Sequence, residues 1–474
     1  MTTENSKQAS KSQKNKAEPK RYEKALSMLL GNAKKVSGGY PFMEEITTLD
    51  NLLLACERVK KNKGQPGIDG MTVEEIEGHI RQYHPHIRRK LMDGTYKPQP
   101  VRRVHIPKPN GGTRSLGIPV VRDRVIQQAI RQVIEPFINP TFSRSSHGFR
   151  PGKSPKTAMK QVTKYYEEGY TYVVDCDLKQ YFDTINHDKL MYLLGKHIPD
   201  KRVLTIIRKF LTCGAIDMKN GLEMTRKGAP QGGVISPLLS NIYLHQLDEE
   251  LERRGHKFVR YADDFVVCVK SQRAGERVME SITKFLEKEL KLTVNRDKSK
   301  VGSPTRLKFL GCLMRRVNKT CRFTATKEKQ KSFLDSLRYT TRRNRPGTMK
   351  EIIKELNLRI RGWINYFGIG HIKGFIKRTE AWLRRRLRQL VLKRWKKCST
   401  KINWLIKYGL SEDEAKCIAY SRKKYWRLSK TKEVHKAMSN ERIHKWGLVS
   451  MTELAQKVYL SYWTAVYGTV RTVV

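Results

Sequence analysis

Two apolar runs, Phe258-Val259-Arg260-Tyr261 and Phe265-Val266-Val267-Cys268-Val269, are separated only by Ala262-Asp263-Asp264. That spacing favours a tight hairpin whose two runs pair as strands. The adjacent carboxylates are then held at its turn against an apolar base, where each charge makes the other costlier. A divalent cation offsets that cost. An ordinary Asp-containing turn is the alternative for the tetrapeptide taken alone. A second acid narrows the choice. Asp177 closes another strand-like run, Thr171 to Cys176, 86 residues upstream of Asp263. If the runs share a sheet, three carboxylates converge. A few hard oxygen ligands, completed by water and substrate phosphate, are the usual way Mg2+ is held. Two such ions can clamp the attacking and leaving oxygens of an in-line phosphoryl displacement.

Charge supplies the substrate class. Among 474 residues, 96 Lys and Arg face 45 Asp and Glu, a formal net charge of +51. Such an excess repels itself unless a polyanion is near, and nucleic acid is the obvious one. No apolar run approaches the ~18–20 residues of a membrane helix, and no segment carries a separate lipid-facing side, so no membrane partner is expected. Met1 to Glu23 is polar and Lys-rich, without the apolar stretch of a secretory signal. The eight cysteines form no C-x-x-C pair. That argues against a zinc finger and a disulfide framework, and suits small apolar fillers in a reducing cytoplasm. The carboxylates and the charge together point to a nucleic-acid polymerase or nuclease.

Helical periodicity runs from Leu49 to Lys63 and stops at Gly64-Gln65-Pro66-Gly67, after which Thr72 to Glu75 spells a capping box. Val104 to Ile106 and Leu116 to Ile118 read as strands around a basic turn, Lys108 to Arg114. A helix is expected from Arg122 to Phe137. Strands and helices alternate irregularly, which implies an α+β core. After Thr326 the pattern turns helical, with stretches at 326–344, 348–366 and 372–397. The last carries eleven Lys or Arg and one acid between Lys373 and Lys397. Ile376, Leu383, Leu387 and Leu390 mark its apolar stripe.

An ordered series of motifs now stands out: KGQPGIDG (63–70), IPKPNGGTRSLGIP (106–119), VRDRVIQQA (121–129), SSHGFRPG (145–152), DLKQYFDTINHDKL (177–190), GAPQGGVISPLLSNIYLHQLD (228–248), YADD (261–264), LTVNRDKSK (292–300), FLG (309–311) and RGWINYF (361–367). In this order the chain resembles bacterial group II intron-encoded reverse transcriptase/maturases, from about residue 45 onward. The resemblance implies a right-hand polymerase fold. A basic, disordered arm spans 1–44, fingers and palm 45–325, an α-helical thumb/maturase domain 326–400, and a basic, helical DNA-binding-like region 401–474. The activity implied is RNA-directed DNA synthesis, together with binding of group II intron RNA, help in its splicing and copying of the intron during mobility.

Carried over by motif, Asp177, Asp263 and Asp264 would be the catalytic, metal-binding triad for two Mg2+ ions, while Asp183 and Asp188 are structural. Phe182 would exclude a ribose 2′-hydroxyl and so favour dNTPs; packing in the palm is its other reading. Lys108 and Arg114 would contact the triphosphate, and Gln231 the nucleotide sugar or the base pair. Lys298 would be a general acid for pyrophosphate, or else a surface cation. Phe309, Leu310 and Gly311 would form the primer grip. Arg384, Arg385, Arg386, Arg388, Lys393, Arg394, Lys396 and Lys397 would track phosphates, two of the four central arginines touching them. The partners implied are intron RNA, an RNA template with DNA primer, target DNA and dNTPs. Many relatives end in a zinc-supported HNH nuclease; no paired cysteine spacing marks one here, so no second-strand nicking is expected. A freestanding reverse transcriptase usually lacks the RGWINYF thumb. A splicing-only maturase tends to lose the catalytic acids, all three of which are present.

Overall fold

The computed structural model describes residues 40–107, 111–217, 221–317 and 320–467, with the side chains of 316, 317, 320, 321 and 463–467 excepted. Lys108 and the 1–39 part of the expected N-terminal arm lie outside the described residues. Two compact units interleave along the chain. One comprises Met1–Ser154, Cys176–Val267 and Glu276–Lys300; the other comprises Pro155–Asp175, Cys268–Gly275 and Val301–Val474. Strands and helices are mixed up to Ala325, and among the described residues only helices follow. This is the α+β right-hand arrangement with a helical C-terminal part.

In the first unit, helices α1 (Phe42–Ile46), α2 (Leu49–Lys61), α3 (Ile76–Met92) and α4 (Val121–Ile138) pack against one another. Thr48 caps α2 by accepting from the Asn51 N–H. The capping box read at Thr72–Glu75 forms one half: the Thr72 N–H donates to Glu75 at 2.9 Å, and α3 begins at Ile76. Strands β1 (Val101–Pro107) and β2 (Thr113–Ile118) pair antiparallel, with Val104 opposite Leu116.

The chain continues through α5 (Pro155–Glu167), β3 (Tyr172–Cys176), α6 (Tyr181–Thr184), α7 (His187–Gly195), α8 (Lys201–Thr212), β4 (Ala215–Asp217), β5 (Gly221–Glu223), α9 (Ser236–Arg253), β6 (Lys257–Tyr261), β7 (Asp264–Val269), α10 (Gln272–Lys288) and β8 (Lys300–Gly302). The first sheet has the order β2-β1-β4-β5 and a second the order β6-β7-β3-β8. The runs that flank Asp263 are therefore neighbours, and the Asp177 strand lies beside β7. Helix α9 is buried along most of its length, with Leu238, Leu239, Ile242, Tyr243, Leu244 and Leu247 all within 2% of full burial and the polar Ser240, Asn241 and Asp248 enclosed beside them.

In the second unit, β9 (Cys312–Val317) and β10 (Thr320–Ala325) form an antiparallel pair. Helices α11 (Lys327–Thr340), α12 (Met349–Phe367) and α13 (Lys373–Arg394) follow. A complete capping box, Thr348 with Glu351, starts α12. The expected stripe of α13 is buried at Ile376, Leu383, Leu387 and Leu390, packed with Ile352, Leu356 and Ile360 of α12. Six further helices complete the chain: α14 (Cys398–Lys407), α15 (Glu412–Ala419), α16 (Tyr425–Leu428), α17 (Lys432–Ala437), α18 (Asn440–Lys445) and α19 (Met451–Tyr467). No helix among the described residues is long and apolar enough to cross a membrane.

Candidate active site

The β6–β7 turn forms as its sequence requires, and Ala262 takes a left-handed φ of 59° within it. That conformation is strained for a residue with a Cβ. The structure around it holds it there. A Cβ on Gly148 would lie 2.2 Å from the Ala262 nitrogen, so only glycine lets these backbones meet. Arg260 is fully buried. Its Nε and Nη2 donate to the two Asp248 carboxylate oxygens at 2.7 and 2.5 Å. Its Nη1 donates to Asn241 Oδ1 at 3.0 Å and to the Ala262 carbonyl at 3.1 Å. The Asn241 amide donates in turn to the Gly148 carbonyl at 2.8 Å. A buried charge needs such pairing to be tolerated, and here the pairing clamps the turn from behind.

Asp177 is fixed by its backbone: its N–H donates to Ser299 Oγ at 3.0 Å and its carbonyl accepts from the Asn295 N–H at 2.8 Å. The Lys298 ammonium stands 3.7 Å from Asp177 Oδ2. The three acids feel one another. Asp264 reaches the surface at the strand's edge, yet enough protein surrounds it for desolvation to lead a rise to about 6, with Asp263 and Asp177 adding repulsion and Lys298 opposing it. Burial also raises Asp263, reinforced by Asp177 and opposed by Arg114 and Arg260. Among the described residues no three His, Cys, Asp or Glu side chains are already closed into a metal shell. Mg2+ does not ask for one: it is usually held by one or two carboxylates, with water and substrate phosphates filling the rest. An all-oxygen donor set whose mutual repulsion a cation would relieve fits that ion.

A cleft of about 400 Å3 has a lining that includes Ser115, Gly117, Gln180, Phe182, Asp183, Pro230 and Gln231, so the segment leading on from Asp177 forms part of it. Two residues selected from motifs 49 positions apart, Phe182 and Gln231, thus share one wall. The loop 228–233 is laid down by backbone contacts. The Ala229 N–H donates to the Phe182 carbonyl at 2.7 Å and the Gly117 N–H to the Gln231 carbonyl at 2.8 Å. Gly228 has φ 88°, and a Cβ there would press to 2.7 Å from the Phe182 oxygen. Two histidines bond within the protein: His187 bonds the Gly228 carbonyl at 2.6 Å and His105 bonds Asp217 at 2.7 Å.

Phe309, Leu310 and Gly311 belong to the second unit. Phe309 is 8% exposed, and Leu310 and Gly311 take φ of 50° and 74°. The Tyr366 hydroxyl, from the RGWINYF motif, donates to the Leu310 carbonyl at 3.2 Å.

The basic helix differs from the expectation. Arg388 is 3% exposed and turns inward, donating to the Met438 carbonyl and Asn440 Oδ1 at 2.9 and 3.2 Å. It is removed from the phosphate-tracking set, because a guanidinium spent on buried carbonyls cannot reach a nucleic-acid backbone. Arg384 pairs with Glu380 at 3.4 Å. Arg385 stacks 3.6 Å over the Trp426 ring and donates to the Trp426 carbonyl, and Arg386 donates to Thr341 Oγ1 at 2.7 Å. Lys393 and Arg394 bond Asn344 and the Arg345 carbonyl. Much of this charge stitches α13 to its neighbours. The exposed cations of the segment are Lys396 and Lys397 of the expected set, with Lys373, Lys377 and Arg378.

The Arg260–Asp248–Asn241 clamp was missed by motif reading. Its signal was a lone Arg in the apolar run Phe258 to Tyr261, which a paired strand must bury.

Residues 106–314 match the family model for reverse transcriptase (RNA-dependent DNA polymerase), and residues 330–409 match that for the group II intron maturase-specific domain. Protein YkfC of Escherichia coli is 36% identical, the match covering 54% of this chain and 77% of that protein. The group II intron-encoded protein LtrA of Lactococcus lactis is 30% identical over 55% of this chain and 54% of its own length. The putative COX1/OXI3 intron 1 protein of Saccharomyces cerevisiae is 36% identical over 43% of this chain and 24% of itself. The chain thus spans about half the length of LtrA. With the acidic turn, the cleft lined by Phe182 and Gln231 and both family matches in place, the chain belongs to the group II intron-encoded reverse transcriptase/maturase family.

Proposed function

We propose that this RNA-directed DNA polymerase extends a DNA primer on an RNA template at the β6–β7 turn, and that Asp177, Asp263 and Asp264 hold two Mg2+ ions there. The observation that carries this reading is the electrostatic coupling of Asp177 to the two carboxylates of the strained turn, both of which are raised by burial and by neighbouring acids. When bound, the ions would offset the charge that develops on the attacking and leaving oxygens. Lys298, whose ammonium stands 3.7 Å from Asp177, would give a proton to the pyrophosphate. Arg114 opposes negative charge near Asp263 and would meet the triphosphate, with Lys108 as its companion. Phe182 walls the sugar position and Gln231 faces the same cleft. Phe309 to Gly311 would steady the primer.

The second part of the reading is that the chain binds intron RNA, aids its splicing and copies it into DNA at a target. The maturase-specific match at 330–409 and the +51 charge support it. Fingers and palm would occupy 45–325, the thumb/maturase domain 326–400, and DNA contacts the region 401–474. Asp263→Asn tests the chemistry. It should lower cDNA synthesis by at least about a hundredfold while intron RNA affinity stays unchanged. Wild-type extension by this variant would overturn the metal assignment.

A further inference from the structure

Away from the acidic turn, the second unit carries a cleft of about 340 Å3 lined by Arg338, Arg343, Trp382, Arg386, Gln389 and Trp426. Its volume is in the range that takes a small organic ligand, about 300–1,000 Å3. Its chemistry is cationic and aromatic. Three guanidiniums converge there, and among the described residues no carboxylate pairs with Arg343 or Arg386; Arg338 alone has one, Asp335. The chain offers no acid between Asp335 and Glu351, while Arg338, Arg342, Arg343 and Arg345 fall within that stretch. Burial lowers the pKa of Arg386, and Arg338 and Arg343 lower it further. An anion would relieve that repulsion.

The cleft is also built to hold its cations in place. Arg386 stands 5.1 Å and Arg338 5.8 Å from the Trp382 ring centroid, so both are fixed against one indole. Arg386 is anchored further by Thr341 Oγ1 and the Thr341 carbonyl, at 2.7 and 3.0 Å. In the amide orientation that satisfies both groups, the Gln389 carbonyl accepts from Arg343 Nε and Nη2 at 3.1 and 3.2 Å. Gln389 is itself 7% exposed, so Arg343 is oriented from below. Planar guanidiniums against indoles give stacking surfaces for a base and forked donors for a phosphate.

We propose that this cleft receives one unpaired nucleotide of the bound RNA, its phosphate on Arg343 and Arg338 and its base against the Trp382–Trp426 wall. The proposal rests on the RNA-binding reading above and adds to it a site for an extruded base, which a fully paired helix cannot fill. Paired RNA would meet this face only through its phosphates.

The test uses the full-length chain and two RNA probes at about 0.15 M salt: a 16-base-pair duplex, and the same duplex with a single-nucleotide bulge. The wild type should bind the bulged probe about tenfold more tightly. Trp426→Leu and Arg343→Gln should each erase that preference and change affinity for the plain duplex by less than about threefold. Trp426→Phe, which keeps a stacking face, should retain it; this variant guards against a loss caused by misfolding. Equal affinity of the wild type for both probes overturns the proposal, as does an equal loss on both probes in the variants, which would make the cleft a general charge patch. Primer extension by the wild type is measured alongside. If extension and RNA affinity are both absent, the polymerase and RNA-binding reading fails; if both are present without a bulge preference, only the cleft assignment fails.

Discussion

Arg260 shows how much a single side chain can decide near a reacting centre. It touches no substrate, so it is a positioning residue: it fixes the carbonyl of Ala262, and through that turn the aim of Asp263 and Asp264. Arg260→Lys keeps the charge but loses the fork that grips both Asp248 oxygens. Charged hydrogen bonds are worth about 1.5–3 kcal/mol, so kcat should fall by about tenfold or more while KM for dNTP moves less than about threefold. A variant that is folded at the assay temperature and keeps wild-type kcat would show the clamp to be packing only. Phe182 poses the parallel question for selectivity. If it walls the sugar, Phe182→Ala should reduce the ratio of kcat/KM for dGTP over GTP by at least about tenfold, about 1.4 kcal/mol in differential barrier. An unchanged ratio returns Phe182 to the palm's packing.

At the scale of the element, α13 separates composition from function. Its eleven cations between Lys373 and Lys397 look from sequence like a rake for phosphates. In the fold, Arg384, Arg385, Arg386 and Arg388 bond to protein, and the exposed charge lies toward the two ends of the stretch. Two measurements should therefore part company. Arg388→Gln should destabilise the protein by about 2–3 kcal/mol, because buried carbonyls lose a charged donor, and should leave the salt dependence of RNA binding alone. Replacing Lys377, Arg378, Lys396 and Lys397 by Gln should spare stability. If two of these meet phosphate, the slope of log K against log salt should fall by about 2, taking the duplex coefficient of about 0.9 per contact. The reverse pattern would restore the buried arginine to the RNA-binding face.

Across the whole molecule, a charge of +51 is a standing cost to the compact state that a polyanion removes. Raising salt from 0.1 to 1 M shortens the screening length from about 10 to about 3 Å. The free protein should melt a few degrees higher as a result. RNA at a hundred times its Kd should add about 2.7 kcal/mol more. A melting temperature that falls with salt would mean that native ion pairs, not repulsion, dominate the balance.

The sequence by itself determined the elements and the chemistry they carry. Apolar runs bracketing Ala262-Asp263-Asp264 gave a hairpin because two short, continuously apolar runs and a short connection leave little else. The stripe from Ile376 to Leu390 gave a buried helix face through its period of 3.6. Local periodicity needs no partner to be read. Only the tertiary structure decided which residues would meet: Gly148 against Ala262, Phe182 in one cleft with Gln231, Arg260 between Asp248 and Asn241. Those encounters depend on how distant segments pack. A guanidinium in a sequence is simply a cation, and whether it grips a phosphate or a buried carbonyl depends on what the fold places opposite it.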